Sequence, residues 1–351
     1  MSTFTSALFA LLFWTAWGTC AALLGGHFLF DDATVPTVVL HALAGYLWIL
    51  AAGVVVLAAA SEGWTRTALS APLLIVALAI IAPGHVDRTA PGDGRLRLVT
   101  ANVLMVHHDP ERLIDDLIAT DPDIIVLQEV DPRWAAILGR TSELDAWEYR
   151  HIDPEEGSFG VAMFSRVPAT LTTEDLQGIK LGRMDLEVDG RPLTIYDVHT
   201  LPPRGDRYAQ VWTEQMADLA LRAQHSDTPV VFAGDFNATR HHPSYRRLLR
   251  SGLRDAHAIA GRSSAKTWPN GLFPAPSLRL DHVLVGDGVR VHGVSETAPN
   301  GSDHLPIVVD LSLGESAASG LLSATSGRTG VSTAASLSVP VSDSPVPSRG
   351  S

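Results

Sequence analysis

Eight polar side chains stand at the ends of short, strand-like apolar runs in this chain: Asn102, Glu129, His199, Asp235, Asn237, Asp281, Asp303 and His304. Six of them bring hard oxygen donors, two bring imidazoles, and cysteine is absent from the set. Oxygen-rich sites favour Mg²⁺, Mn²⁺ or Ca²⁺ over zinc. Such a cation polarises a phosphoryl oxygen and offsets the charge that grows on the leaving oxygen. A carboxylate near it can take a proton from water, and an imidazole held by a second carboxylate can hold or protonate the phosphate. These are the parts needed to hydrolyse a phosphodiester or phosphomonoester.

To meet, these groups need extended segments that finish at a common edge. The clearest is Pro229-Val230-Val231-Phe232-Ala233-Gly234-Asp235-Phe236-Asn237, a buried strand in which Gly234 lets the backbone approach its surroundings closely. Alternation puts Asp235 and Asn237 on one side and Phe236 on the other. Taken alone, Asp-x-Asn also suits an Asx-type turn closing a hairpin. Leu96–Val103 reads as a strand ending at Asn102, Asp123–Glu129 as one ending at Glu129, and Leu193–Thr200 as one with Asp197 and His199 on a shared face. Leu278–Val285 and Asp303–Leu311 supply the last strands, with Asp281, Asp303 and His304. The plainer alternatives are a turn cap for Asn102, a cap on the following helix for Glu129 and a position merely preceding a strand for Asp281.

Between these strands, Asp109–Thr120 has helical spacing and is closed by Asp121-Pro122, while Pro132 permits a second helix through Leu138. Asp206–Gln224 and His241–Leu253 read as further helices. Strand, helix, strand, helix and then several strands predict a layered α/β domain with helices outside packed sheets. There is no internal repeat and no Walker-type phosphate loop. His107, His108, His241, His242 and His282 read as ordinary surface or supporting residues. Arg246, Arg247 and Arg250 read as a solvated helix face, and Trp268-Pro269 as a pocket wall or core packing.

Six blocks occur in order: Thr100-Ala101-Asn102-Val103, Leu127-Gln128-Glu129-Val130, Asp197-Val198-His199, Gly234-Asp235-Phe236-Asn237, Leu280-Asp281-His282-Val283 and Ser302-Asp303-His304-Leu305-Pro306. On them the chain resembles the endonuclease/exonuclease/phosphatase superfamily over roughly residues 95 to 313. The resemblance implies an α/β fold, a four-layer α/β/β/α sandwich with its active site at strand ends on one edge. It implies Glu129 as the principal metal ligand with Asn102 and Asp303 beside it, and Asp235 as the group that orients or deprotonates the attacking water. Asn237 would hold a phosphate oxygen, and His304, paired with Asp281, would contact the scissile phosphate or act as the acid–base histidine. His199 falls where the deoxyribonuclease and sphingomyelinase branches carry a phosphate-binding histidine, which leans away from DNA repair.

The first 84 residues differ in composition. Met1–Phe30 holds no Asp, Glu, Lys or Arg, and Ala7–Phe30, Val35–Ala60 and Thr67–Pro83 are three apolar runs. Lacking a basic region before the first run, they predict a three-helix transmembrane anchor over 1–84 rather than a cleaved signal peptide. Trp14 and Trp17 are expected to pack between these helices. A linker over 85–94, a phosphoesterase domain over 95–315 and a disordered Ser/Ala/Gly/Thr/Pro tail over 316–351 follow. Placing Arg66 in the cytoplasm puts the catalytic domain outside the cell membrane, although Arg88, Arg95 and Arg97 argue the other way.

A formal net charge of -12 counts against broad gripping of nucleic acid. Cys20 is the single cysteine, so no intrachain disulfide exists. The leading reading is a membrane-anchored phosphoesterase using Mg²⁺ (or Mn²⁺ or Ca²⁺), with a lipid or small phosphoester favoured. The alternative is an extracellular nuclease on DNA or RNA, whose electrostatic footprint would be a basic patch over Arg240–Arg254. A catalytically silent binding module with the same fold would show at least one broken catalytic position. The expected partners are the phosphoester substrate and the lipid bilayer, and no protein partner is predicted.

Overall fold

Alternate residues of a strand enter different layers, and here that rule stacks the molecule. The computed structural model describes residues 3–60, 64–82, 89–92, 94–271, 276–298 and 301–314. Half of the expected linker over 85–94 and all of the expected tail over 316–351 lie outside these residues. The elements run α1 (Thr3–Leu29), α2 (Val35–Ala42), α3 (Leu47–Ala60), α4 (Trp64–Ile81), β1 (Leu96–Asn102), α5 (Pro110–Ile118), β2 (Ile124–Gln128) and α6 (Pro132–Leu138). They continue with β3 (Tyr149–Asp153), β4 (Val161–Ser165), β5 (Ala169–Leu176), β6 (Ile179–Val188), β7 (Arg191–His199), α7 (Asp206–Gln224) and β8 (Val230–Asp235). The last are α8 (Pro243–Leu249), β9 (Arg254–Asp255), α9 (Ala256–Ile259), β10 (Asp281–Val285), β11 (Val289–Glu296) and β12 (Ile307–Leu313).

The strands form two six-stranded sheets, ordered β11-β12-β1-β2-β4-β3 and β5-β6-β7-β8-β10-β9. Each has one parallel pair at its centre, β1 with β2 and β7 with β8. Parallel neighbours need a crossover, and α5 and α7 supply it. Leu98, Val126, Val231 and Val283 point between the sheets and form their shared core. Their chain neighbours point outward: Val99 and Ile125 against Leu113 and Trp134, Phe232 and Leu284 against Trp212 and Leu248. Three stacked apolar interfaces thus give the expected α/β/β/α sandwich. Strands β3, β5 and β11 go beyond the sequence reading, because β3 and β5 in particular are mixed in burial and present no continuous apolar run.

The N-terminal helices depart from expectation in one respect. Ser6–Leu29 and Trp64–Ile81 are each long and apolar enough to cross a bilayer. The run Val35–Ala60 is not one straight helix but two segments bent by 44°. Leu43 leaves helical geometry, and a 3-10 turn over Ala44–Tyr46 follows before α3 begins. Segment α3 joins the apolar bundle with α1 and α4 through Phe13, Ala51, Val54 and Ala77, and Leu40 of α2 packs at its edge. By contrast α2 turns onto the sandwich, where Val38 packs in the same cluster as Trp212 and Phe232. Trp17 is partly buried in the bundle as expected, whereas Trp14 stays 48 % exposed.

Candidate active site

The alternation that buries Val231 and Ala233 between the sheets carries on to Asp235, and that of Leu96 and Leu98 carries on to Asn102. Both polar side chains therefore emerge between the sheets at one rim. Strand register adds the rest: Asp235 lies opposite His199 on β7 and opposite Asp281 on β10. Gly234, at φ 142°, permits this tight rim, since a Cβ there would run into the Val198 carbonyl oxygen.

Two carboxylates facing each other on adjacent strands repel unless a cation or a shared proton comes between them. His304 supplies it. Its Nδ1 lies 2.8 Å from Asp281 Oδ2 and its Nε2 3.8 Å from Asp235 Oδ2. Burial opposes the imidazolium, yet Asp281 and then Asp235 outweigh it and push His304 up to about 10. Burial, with Asp281 as a like charge, pushes Asp235 up to about 6 although His304 and His199 pull the other way. Asp235 Oδ1 accepts from the Asn237 amide at 2.8 Å, so the Asx-type turn is realised. Oδ2 is left to accept from Asn102 Nδ2 at 3.2 Å and to face His199 Nε2 at 3.8 Å.

Glu129 reaches the same rim by a different route. Gln128 already faces inward, so simple alternation would send Glu129 outward, but its backbone turns at φ 64°. The carboxylate then accepts from Asn102 Nδ2 at 3.1 Å and from the Met105 amide at 3.0 Å. It does not cap α6, a task performed by Asp131, which accepts from the Trp134 amide at 2.7 Å. Asn102 Oδ1 accepts from the Leu104 amide at 3.1 Å, which orients its nitrogen toward the carboxylates. Asn237 is also left-handed, at φ 48°, and its Nδ2 donates to the Thr200 carbonyl at 2.9 Å. Such backbone strain in non-glycine residues clusters at working sites.

Asp303 Oδ2 accepts from Trp268 Nε1 at 3.1 Å, so Trp268 walls the pocket and holds one of its acids. Phe159 lies against the His199 ring at 5.4 Å, and His199 Nδ1 has no hydrogen-bond partner among the described residues. Beneath the rim Gln128 Nε2 donates to Thr100 on the same sheet and to Asp197 on the other, tying the two sheets together. Burial pushes the Asp197 carboxyl well above the usual range, against the hydrogen bond from Gln128. Ser302 Oγ donates to the Asn102 carbonyl at 2.8 Å and accepts from the His304 amide at 3.1 Å.

Glu129, His199, Asp235, Asn237, Asp303 and His304 all line one cleft of about 480 Å³, with Asp281 directly behind His304 and Asn102 between Glu129 and Asp235. Sequence reasoning passed over Phe159, Arg204 and the α2 side chains Val38, Val39 and Ala42, which also line it. Arg204 had a signal, since Pro202-Pro203 stiffens the chain just after the His199 strand. The α2 residues had none. Two surface expectations are corrected. His107, His242 and His282 are buried. Arg240 and Arg247 are engaged with the N-terminal helices: Arg240 caps the Ile81 carbonyl at 2.6 Å, and Arg247 pairs with Asp31 at 2.8 Å.

The donor set fits a divalent cation. Glu129, Asp235 and Asp303 face a cleft in which Arg204 is the one cationic arginine or lysine among the described lining residues. That surplus of negative charge on oxygen is what Mg²⁺, Mn²⁺ or Ca²⁺ neutralises. Among the described residues, ligand atoms of Asp235, Asp281 and His304 lie within 4.8 Å of one another.

A model of the Endonuclease/Exonuclease/phosphatase family matches residues 99–304. No curated protein matches the chain. Among solved structures, a D. rerio TDP2 humanised by 14 mutations is 18 % identical, covers 62 % of this chain and 98 % of its own, and has a TM-score of 0.53. An endonuclease/exonuclease/phosphatase from Beutenbergia cavernae DSM 12333 is 22 % identical over 63 % of this chain and 72 % of its own, at a TM-score of 0.48. The 3′ phosphatase NExo from Neisseria, bound to a product DNA hairpin, is 18 % identical over 62 % and 99 %, also at 0.48. With the family match spanning the whole run from β1 to His304, this chain belongs to the endonuclease/exonuclease/phosphatase family.

Proposed function

We propose that the protein is a membrane-anchored, divalent-metal-dependent phosphoesterase that hydrolyses a lipid or small phosphoester by attack of water. The observation that carries this reading is Asp235, buried between His199 and His304 and pinned by Asn102 and Asn237. Its Oδ2, which also accepts from Asn102 and faces both imidazoles, takes the proton of the attacking water. Asp281 fixes Nδ1 of His304 and keeps the ring protonated, so Nε2 carries a proton toward the phosphate or the leaving oxygen. His199, with Phe159 behind it, and the second N–H of Asn237 hold phosphate oxygens. Glu129 and Asp303 are the ligands for the cation, with Asn102 orienting Glu129. His304 Nδ1 is already engaged by Asp281, so the tight Asp235–Asp281–His304 group handles protons instead. When bound, the cation polarises a phosphoryl oxygen and stabilises charge on the departing one.

Two observations support the anchor and the choice of substrate. The α4 C-terminus meets Arg240, while Arg66 lies at the other end of that helix, about 22 Å away at 1.5 Å per residue. A cytoplasmic Arg66 therefore leaves the catalytic domain outside. The basic patch that a nuclease would use is instead partly occupied in docking α4 and the α1–α2 turn. The test is turnover by the full chain of nitrophenyl phosphate, bis(p-nitrophenyl) phosphate, phospholipid and oligonucleotide, each with Mg²⁺, Mn²⁺ and Ca²⁺. Ester hydrolysis abolished by a chelator and restored by one of these ions is expected. No turnover of any substrate with any ion would leave a silent binding module.

A further inference from the structure

We propose that α2 is the acyl-chain wall of the active-site cleft, so that the substrate is a bilayer lipid whose phosphoester reaches Asp235 while its chains lie along Val38, Val39 and Ala42. The inference rests on the phosphoesterase reading above and gives the N-terminal helices a share in substrate binding beyond anchorage. These three side chains line the same cleft as Asp235 and His304. Facing the cleft from the sandwich are Leu104, Val106, Phe159 and Trp268, so the walls above the acids are carbon.

The placement of α2 is built, not incidental. The Val35 amide donates to Asp206 Oδ1 at 2.9 Å, and the Ser244 amide donates to Asp32 Oδ2 at 2.8 Å. His242 Nε2 lies 3.1 Å from the Val38 carbonyl, and Thr213 Oγ1 donates to the Asp32 carbonyl at 3.1 Å. Asp206 and His242 thus hold this helix of eight residues, and Ser244 and Thr213 hold the turn that leads into it. Yet Val39 remains 48 % exposed on it, and Val106 across the cleft is 62 % exposed.

Continuity with the bilayer names the occupant. A bilayer-length helix, Ser6–Leu29, ends six residues before α2, and Phe28, Leu29 and Phe30 at that end are all exposed. Only the short turn Asp31-Asp32-Ala33-Thr34 separates that exposed apolar end from α2 and the cleft it lines. A nucleic acid would meet carbon walls and one arginine there, and a small soluble ester has no use for such a wall.

The experiment uses the full chain in vesicles of phosphatidylcholine and phosphatidylglycerol. Release of lipid phosphoester products is measured beside turnover of bis(p-nitrophenyl) phosphate. Val39→Glu should lower the ratio of lipid to soluble turnover by about tenfold or more, since an apolar pocket contact discriminates on that scale. Val39→Ser, milder for folding, should lower it in the same direction. Leu221→Glu, on the exposed face of α7 and outside the cleft, should leave the ratio unchanged. An unchanged ratio in both Val39 variants, or a wild type that cleaves the soluble ester and no lipid, overturns the acyl wall and leaves the phosphoesterase standing. Preferential cleavage of a single-stranded oligonucleotide, indifferent to Val39, overturns it in favour of a nuclease. No turnover of any of these substrates sinks both proposals.

Discussion

The molecule contains two buried aspartate–histidine pairs of nearly equal length. Asp281 Oδ2 lies 2.8 Å from His304 Nδ1, and Asp32 Oδ1 lies 2.7 Å from His41 Nδ1. Their surroundings differ. His304 turns its other nitrogen toward Asp235 and the cleft. His41 turns its own into the junction between the N-terminal helices and the sandwich, where Nε2 finds no partner among the described residues. Asp32 gives its second oxygen to the Ser244 amide, and burial is outweighed by His41, His242 and that amide, which hold its carboxyl below the usual range. On the proposed mechanism the same kind of pair serves proton transfer at one place and docking at another. What decides is the group facing the second nitrogen.

The sharpest way to break the contrast is to remove the group that His304 faces. Asp235→Asn should lower turnover about 1,000-fold, within the range for loss of a positioned base, and leave the metal titration unchanged. Wild-type rates in that variant would strip the cleft of its assigned base. Asp281→Asn comes next, at about 100-fold. In the wild type, activity should rise as Asp235 loses its proton near pH 6 and fall as His304 loses its own near pH 10. Asp281 is the chief group raising His304, so removing its charge lets burial win and moves the alkaline limb to lower pH. A pH profile of kcat/KM with that limb unmoved would separate His304 from the reaction. Glu129→Gln should raise the metal concentration for half-maximal activity about tenfold, as weakened ligation does, with turnover at saturating metal less affected. An unchanged titration would put the ion elsewhere, at Asp235 and Asp281.

These two regions were not equally legible in the sequence. The rim was, because each of its residues stands within one or two positions of the start or end of an apolar run, and period-two alternation is a local property. Asn102, His199 and Asp235 needed nothing more. Glu129 was found by its motif and not by its face, since alternation alone sends it outward and only its left-handed backbone returns it. The junction was not legible. Val35–Ala60 has the composition of one span, and its break at Leu43 is imposed by contacts from the distant Thr239–Ser244 segment, which accepts α2 onto the sandwich. Arg240 and Arg247 carried no local mark distinguishing a docking arginine from a solvated one, because their partners Ile81 and Asp31 lie 159 and 216 residues away.

The smallest expected effect gives the contrast its sharpest edge. Asp32→Asn keeps the size of the side chain and an oxygen for His41, but sets an amide nitrogen against the Ser244 amide, donor against donor. Leaving a buried donor unmatched costs about 1–3 kcal/mol. That loss falls on the local opening of α2, so amide exchange there should quicken about tenfold or more, while protection in β8 and β10 holds. Because no titrating group of the rim touches Asp32, the limbs of the pH profile should stay where they are. Asp281→Asn predicts the reverse, a displaced alkaline limb with α2 exchange unaltered. A shared response, in which either substitution moves both the pH limb and α2 exchange, would mean that rim and junction open together. The division of labour between the two pairs would then not exist.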